Sequence, residues 1–448
     1  MLLRGATPKG ATALVFGLLL VSVAPVAAGN EAAVTYYEDI LPILQDHCQA
    51  CHRPSGASVS GLVAPMSLMT YEETRPWART IATQVEARVM PPWFASGPAG
   101  VFSNERGLTD LEIQRIRAWV DAGAPAGDSA AAPAPRVFSD EVNDGWTLGT
   151  PDFVARMPQA YLMPDSHDDD GRVFYTALSE QELPEDMWVG GWEIRAGTDG
   201  HVVHHMCVGV LGPDEQPLVE GEGSDERGRL GCFAAGAEAT MWPQGYGRLI
   251  RAGSTVRFNM HYHKEPGPGT VAANRAEIGF FRATAPVFRL VASDAIGNFG
   301  FEIPPNRSRY RVGAGRMLEV DTFLLAFWPH AHLRATAARY TATYPDGRTE
   351  LLLDVTRYDQ GWQEAYPYTE PKFLPAGTMI DVSFWYDNTR PRGVRRGFVS
   401  AQPVENGPRT YDEMTLGFLT YAEVEAWTNA IPFAPSVRPS GIMERFRR

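Results

Sequence analysis

Seven of the chain's ten histidines fall in three short clusters. His201, His204 and His205 lie in HVVHHM, His261 and His263 in HYH, and His330 and His332 in HAH. Imidazole nitrogen is a ligand for zinc, copper, iron and nickel, so such a concentration points to metal rather than to scattered buried polar groups. In a strand, residues i and i+2 share a face about 6.5–7 Å apart, so either H-x-H pair can chelate one ion. The adjacent pair His204–His205 needs more, because neighbouring strand residues point to opposite faces. Both reach one ion only where the strand bends or bulges. Imidazole alone does not separate copper from zinc, but a thioether within reach selects copper and favours its Cu(I) state.

A second constellation lies near the start, where residues 48–52 read CQACH. Cys48 and Cys51 have the spacing that attaches a haem through two thioethers, with His52 beneath the iron. Zinc would need a second ligand pair close by, and a redox dithiol would need a βαβ setting, whereas DILPILQDHC reads as an amphipathic helix. For the sixth haem ligand the best candidate is Met90 in ARVMPPW, where two prolines forbid further helix and present the thioether on an extended segment. Met66 and Met69 in APMSLMT compete for that role. His47 is read as a surface histidine.

Elements that must hold these residues follow from periodicity. LTDLEIQRIRAWVDAGAP (108–125) carries a Thr-x-x-Glu capping pattern, helical apolar spacing and a Gly-Ala-Pro stop, and closes a small all-α cytochrome c-like domain over 34–125. The Ala/Pro-rich stretch that follows is a semi-extended linker, within 126–145. Beyond it, short runs rich in Val, Ile, Phe, Tyr and Trp alternate with Gly, Pro and Asp turns. This indicates a mainly β region of two jelly-roll-like sandwiches, 146–290 and 291–430, followed by a tail at 431–448.

The first residues resemble an export signal, with Arg4 and Lys9, an apolar stretch and small residues near Ala28. Cleavage of 1–28 leaves no membrane span and a periplasmic or secreted protein; retention as an anchor is the rival reading. The excess of 53 acidic over 40 basic residues, with no basic stripe, speaks against nucleic acid.

VVHHMCVGV, NMHYHKE, PHAHL and YDEMTLGFLTY resemble, in order, the motifs of the copper type II, ascorbate-dependent monooxygenases. This family includes the peptidylglycine α-hydroxylating and dopamine β-monooxygenases. The resemblance covers roughly residues 146–430. It implies two sandwiches facing each other across a solvent-filled cleft, each with one copper. One ion would take His204, His205 and His261, and the other His330, His332 and Met414, where O2 would be activated; His201 and His263 match no ligand position and would be supporting or surface histidines. It also implies a Cys207–Cys232 disulfide beside the first site.

The implied activity is hydroxylation of a C–H bond, with electrons from ascorbate or a redox protein. The fused haem c would supply the histidine copper. In the peptide-amidating members an arginine grips a substrate carboxylate, but that position here is Trp328. Leu416 and Phe418 replace the polar residues that assist it. An apolar rim disfavours a buried carboxylate and leads us to expect a small apolar or aromatic substrate. The alternative is a periplasmic haem/copper electron-transfer or copper-handling protein. Met414, arriving with HAH to leave an open face, favours the enzyme.

Overall fold

Along Ala272–Arg282, residues 272, 274, 276, 278 and 280 are buried while Ala273 and Arg275 are exposed. This period of two packs one face and wets the other. Strands of this kind dominate the computed structural model, which describes residues 34–54, 64, 66–179, 183–215, 221–222, 228–234, 239–389 and 399–424. The expected signal segment 1–28 and the tail 431–448 lie outside the described residues. Among those described, no helix is long and apolar enough to cross a membrane.

The chain is mainly β, in a sandwich arrangement. The first sandwich places a five-stranded antiparallel sheet over part of a ten-stranded one. The smaller sheet runs in the order Gly221–Glu222, Asp169–Ala177, Thr255–His263, Val203–Leu211, Arg229–Ala234. Its core includes Phe153, Phe174, Trp192, Met206, Phe258 and Phe280. The second sandwich places another five-stranded sheet over the remainder of the large one, around Phe327, Tyr340, Phe384, Tyr386 and Leu419.

The ten-stranded sheet is continuous through both sandwiches. Its seam is Arg289–Gly297, which pairs in parallel with Tyr246–Ile250 on one side and antiparallel with Leu416–Glu423 on the other.

The helical part has its own core, with Tyr36, Leu44, Ile81, Val85, Ile116 and Trp119. The anticipated cap is present: Thr109 accepts from the Glu112 amide, and Glu112 accepts from the Thr109 amide at 2.7 Å. A helix follows over Asp110–Asp121.

The helical part is not self-contained, which revises the single unit expected over 34–125. Trp93, Phe94, Ala95, Val101 and Phe102 leave it to pack on the second sandwich core. Ala95–Ser96 adds a short strand beside Thr349–Val355. Prolines 91 and 92 keep this segment from coiling, and its aromatics gain more burial on a sheet edge than in a small helical core. The linker is likewise docked: Gln45 donates to the Ala134 carbonyl at 2.9 Å, and Arg53 pairs with Asp140 at 2.6 Å.

Candidate metal centre

His261 sits on Thr255–His263 directly opposite His205 of the neighbouring strand. At the next step the register skips, so that Tyr262 faces Val203 and His204 is the extra residue. This bulge is the distortion that two adjacent histidines require to share a target. His204 Nδ1 lies 3.2 Å from His205 Nδ1 and 3.4 Å from His261 Nδ1. One ligand atom from each of the three lies within 4.8 Å of those of the others.

Burial first, then the neighbouring imidazoles, hold His204 and His205 well below the usual histidine pKa. Three imidazole rings with ligand atoms this close are a donor set that a metal ion satisfies.

Asp169 orients this cluster. Its Oδ1 lies 3.0 Å from His261 Nε2, so the ring proton resides there and the Nδ1 lone pair faces the other histidines. Its Oδ2 accepts from the Thr410 amide at 3.3 Å, tying a loop of the second sandwich to the site. Burial pulls the Asp169 pKa up, but hydrogen bonds from His261 and His263 outweigh it and keep the carboxylate ionised. His263 stands beside Asp169 at 3.8 Å, a supporting position, and His201 is exposed in the one-turn helix Gly200–Val202.

The second site forms where the strand Thr322–His330 ends. His330 and His332 are almost fully buried. His330 Nδ1 donates to Gln363 Oε1 at 2.7 Å, and His332 Nδ1 donates to the Asp412 carbonyl at 3.1 Å. Each bond leaves Nε2 as the ligating atom, and His332 Nε2 is buried with no hydrogen-bond partner. Burial, followed by the nearby imidazoles, lowers His330 to about 3 and His332 to about 4.

Glu413, fully buried, accepts from the backbone N–H of His332 at 2.9 Å and of Arg334 at 2.6 Å. It thereby anchors the 412–415 segment beside His332, and Tyr386 donates to the Met414 carbonyl at 2.6 Å. Met414 follows directly on the residue that binds the His332 amide. The orphaned Nε2 and the oriented rings, with a methionine next in sequence to that anchor, fit copper.

The two sites are not separated by a cleft, a correction to what the family resemblance implies. The rings of His205 and His330 are 5.0 Å apart, those of His330 and His332 5.2 Å, and those of His261 and His332 6.5 Å. The five imidazoles form one cluster because the sheet is continuous and an apolar plug fills the space beside them. That plug comprises Cys207, Ala234, Trp328 and Phe418, with Cys232 and Leu416 against it. Cys207 and Cys232 face each other across neighbouring strands and are joined by a disulfide. Trp328 stacks on His330 at 5.3 Å and donates to the Gln363 carbonyl at 3.2 Å.

In the helical part, Cys48 and Cys51 are thiols not joined in a disulfide, on the turn after Leu41–His47. Burial, then Cys51 and Glu112, push the Cys48 thiol up to about 12. His52 Nδ1 donates to the Met66 carbonyl at 3.2 Å, leaving Nε2 as the ligating nitrogen. The motif thus fits a covalent haem. That bond fixes the Met66 main chain at the ring edge opposite the ligating nitrogen. Met90 is 41 % exposed on the turn after Ala78–Glu86. His47 is not a surface histidine: Nδ1 bonds the Arg106 carbonyl and Nε2 contacts Glu112, both at 3.2 Å.

Sequence reasoning missed Asp169, Gln363, Glu413 and Thr410. Asp169 stands in the acidic run DSHDDD, which offered a weak signal, and Glu413 stands inside YDEMTLGFLTY next to Met414; Gln363 and Thr410 carry none without the fold.

No family model and no curated protein matches this chain. Among solved structures, the VP2 subviral particle of infectious bursal disease virus is 11% identical, covering 63% of this chain and 75% of that one, with a TM-score of 0.20. The STIV MCP is 7% identical, covering 61% and 97%, with a TM-score of 0.24. At such scores these likenesses carry no argument about function.

Proposed function

We propose that this protein is an exported copper-dependent monooxygenase that hydroxylates a C–H bond with O2 and receives electrons through a covalently bound haem c. The observation carrying this reading is the convergence of five imidazoles from both sandwiches, with His332 Nε2 buried and unpartnered and the His332 amide bound by Glu413, the neighbour of Met414. Copper held by His330, His332 and Met414 supplies reductive activation of O2 when bound; His204, His205 and His261 hold the second ion.

The surrounding residues have definite tasks. Gln363 and the Asp412 carbonyl hold the tautomers of His330 and His332, and Asp169 does so for His261. Trp328, Phe418 and Leu416 exclude water next to His330 and favour a small apolar or aromatic substrate over a carboxylate. An external donor, ascorbate or a redox protein, would reduce the haem held by Cys48, Cys51 and His52.

Metal analysis with EPR on haem-matured protein tests the reading: one haem and two type II coppers per chain are expected. Turnover of small aromatic compounds under 18O-labelled O2 should place one labelled atom in the product. Copper absent from the histidines, or product oxygen derived from water, refutes it.

A further inference from the structure

A continuous bonded chain leads from the CQACH motif to His330. His47, covalently joined to Cys48, bonds the Arg106 carbonyl through Nδ1 at 3.2 Å. The Arg106 guanidinium forms an ion pair with Glu364, whose side chain is 1% exposed. Glu364 is the next residue after Gln363, and Gln363 Oε1 accepts from His330 Nδ1 at 2.7 Å. A parallel arm runs from Asn104 Nδ2 to the Ala365 carbonyl at 2.8 Å.

The segment carrying Asn104 and Arg106 is the one that leaves the helical part. Its other bonds also fall on the second sandwich: Ser103 N to Pro367 O at 2.9 Å, Thr369 N to Val101 O at 3.0 Å, and Arg357 to the Arg88 carbonyl at 2.5 Å. Trp93 and Phe102 pack on Tyr366, with ring centroids 5.4 and 5.6 Å apart. The helical part is therefore clamped to residues 354–369, the segment that presents Gln363 to His330.

We infer that electrons cross from the haem along His47–Arg106–Glu364–Gln363 and enter the copper pair at His330. This reverses the expectation that the His204/His205/His261 site is filled first, and it rests on the proposed haem and copper occupancy. Electron transfer decays steeply with distance and less steeply through covalent and hydrogen bonds than through gaps, so this chain is the favoured conduit. Each passage moves one electron: haem iron goes from ferrous to ferric, and Cu(II) at the His330/His332/Met414 site becomes Cu(I), with no bond made or broken. An external one-electron donor restores the ferrous haem, and two passages supply one turnover. Because His205 lies 5.0 Å from His330, the second ion is filled through the first.

The test uses the full chain, matured with haem and loaded with copper, and reduced anaerobically at the haem by a light-triggered donor. Haem reoxidation is followed optically, and the copper that loses its signal is identified by freeze-quench EPR. A fast phase is expected in the parent protein and in His261→Ala, and its loss is expected in His332→Ala. Glu364→Ala and Arg106→Met should lose it with the haem potential unchanged, while Arg106→Lys and Glu364→Gln, which keep the hydrogen bond, retain it. Asn104→Ala, which removes the bonds to the Ala365 carbonyl and to Glu364 but no charge, is the milder cut if those variants do not fold, and it should slow the phase. The inference is overturned if that phase survives Glu364→Ala and Arg106→Met, is unchanged in a folded Asn104→Ala, or is abolished by His261→Ala but not His332→Ala. Failure of the parent protein to load haem or copper would instead overturn the proposed function.

Discussion

Replacing Asp169 by Asn keeps the size of the side chain and removes its charge. With its oxygen toward His261 Nε2, the new amide nitrogen meets the Thr410 N–H, a second donor 3.3 Å from the atom it replaces. Flipped, the amide nitrogen faces His261 and forces the other tautomer, whose Nδ1 proton then points toward His204 Nδ1 at 3.4 Å. Either pose leaves a buried polar group unsatisfied, at a cost of about 1–3 kcal/mol. That corresponds to roughly 10–100-fold in copper affinity, the range typical of lost outer-shell partners. Chelator competition with the two sites resolved by EPR should show this weakening at the His204/His205/His261 ion and none at the other. Parent-like affinity in Asp169→Asn, or equal weakening at both sites, would refute the reasoning.

Replacing Cys207 and Cys232 together by Ser opens a bridge between residues 25 apart in sequence. Chain entropy puts the loss at about 3.5 kcal/mol, to be read by denaturant unfolding. Glu413→Ala strands the His332 and Arg334 amides in a fully buried setting, costing about 2–6 kcal/mol in the same assay. Met66→Ala should leave a low-spin haem spectrum intact, because the Met66 main chain is fixed at the His52 ring edge opposite the ligating nitrogen, whereas Met90→Ala should turn the haem high-spin.

Much of this protein is legible one residue at a time. The CQACH spacing, the Thr109–Glu112 cap, the alternation of Ala272–Arg282 and the H-x-H pairs all express local rules, in which side-chain direction follows from backbone period. Even the bulge at His204 was implied by two neighbouring histidines needing one face. What lies between segments was not legible. Asp169 is 92 residues from His261, Gln363 is 33 from His330 and Glu413 is 81 from His332. No local pattern pairs them. The separation of the two sites was also decided by tertiary structure, since a sheet running through both sandwiches and a disulfide-lined plug pack their histidines into one cluster. So was the fate of Trp93–Arg106, which local composition assigns to the helical part. Sequence determines which groups exist and which way each strand can aim them. Burial competition among distant apolar surfaces determines which of those groups meet.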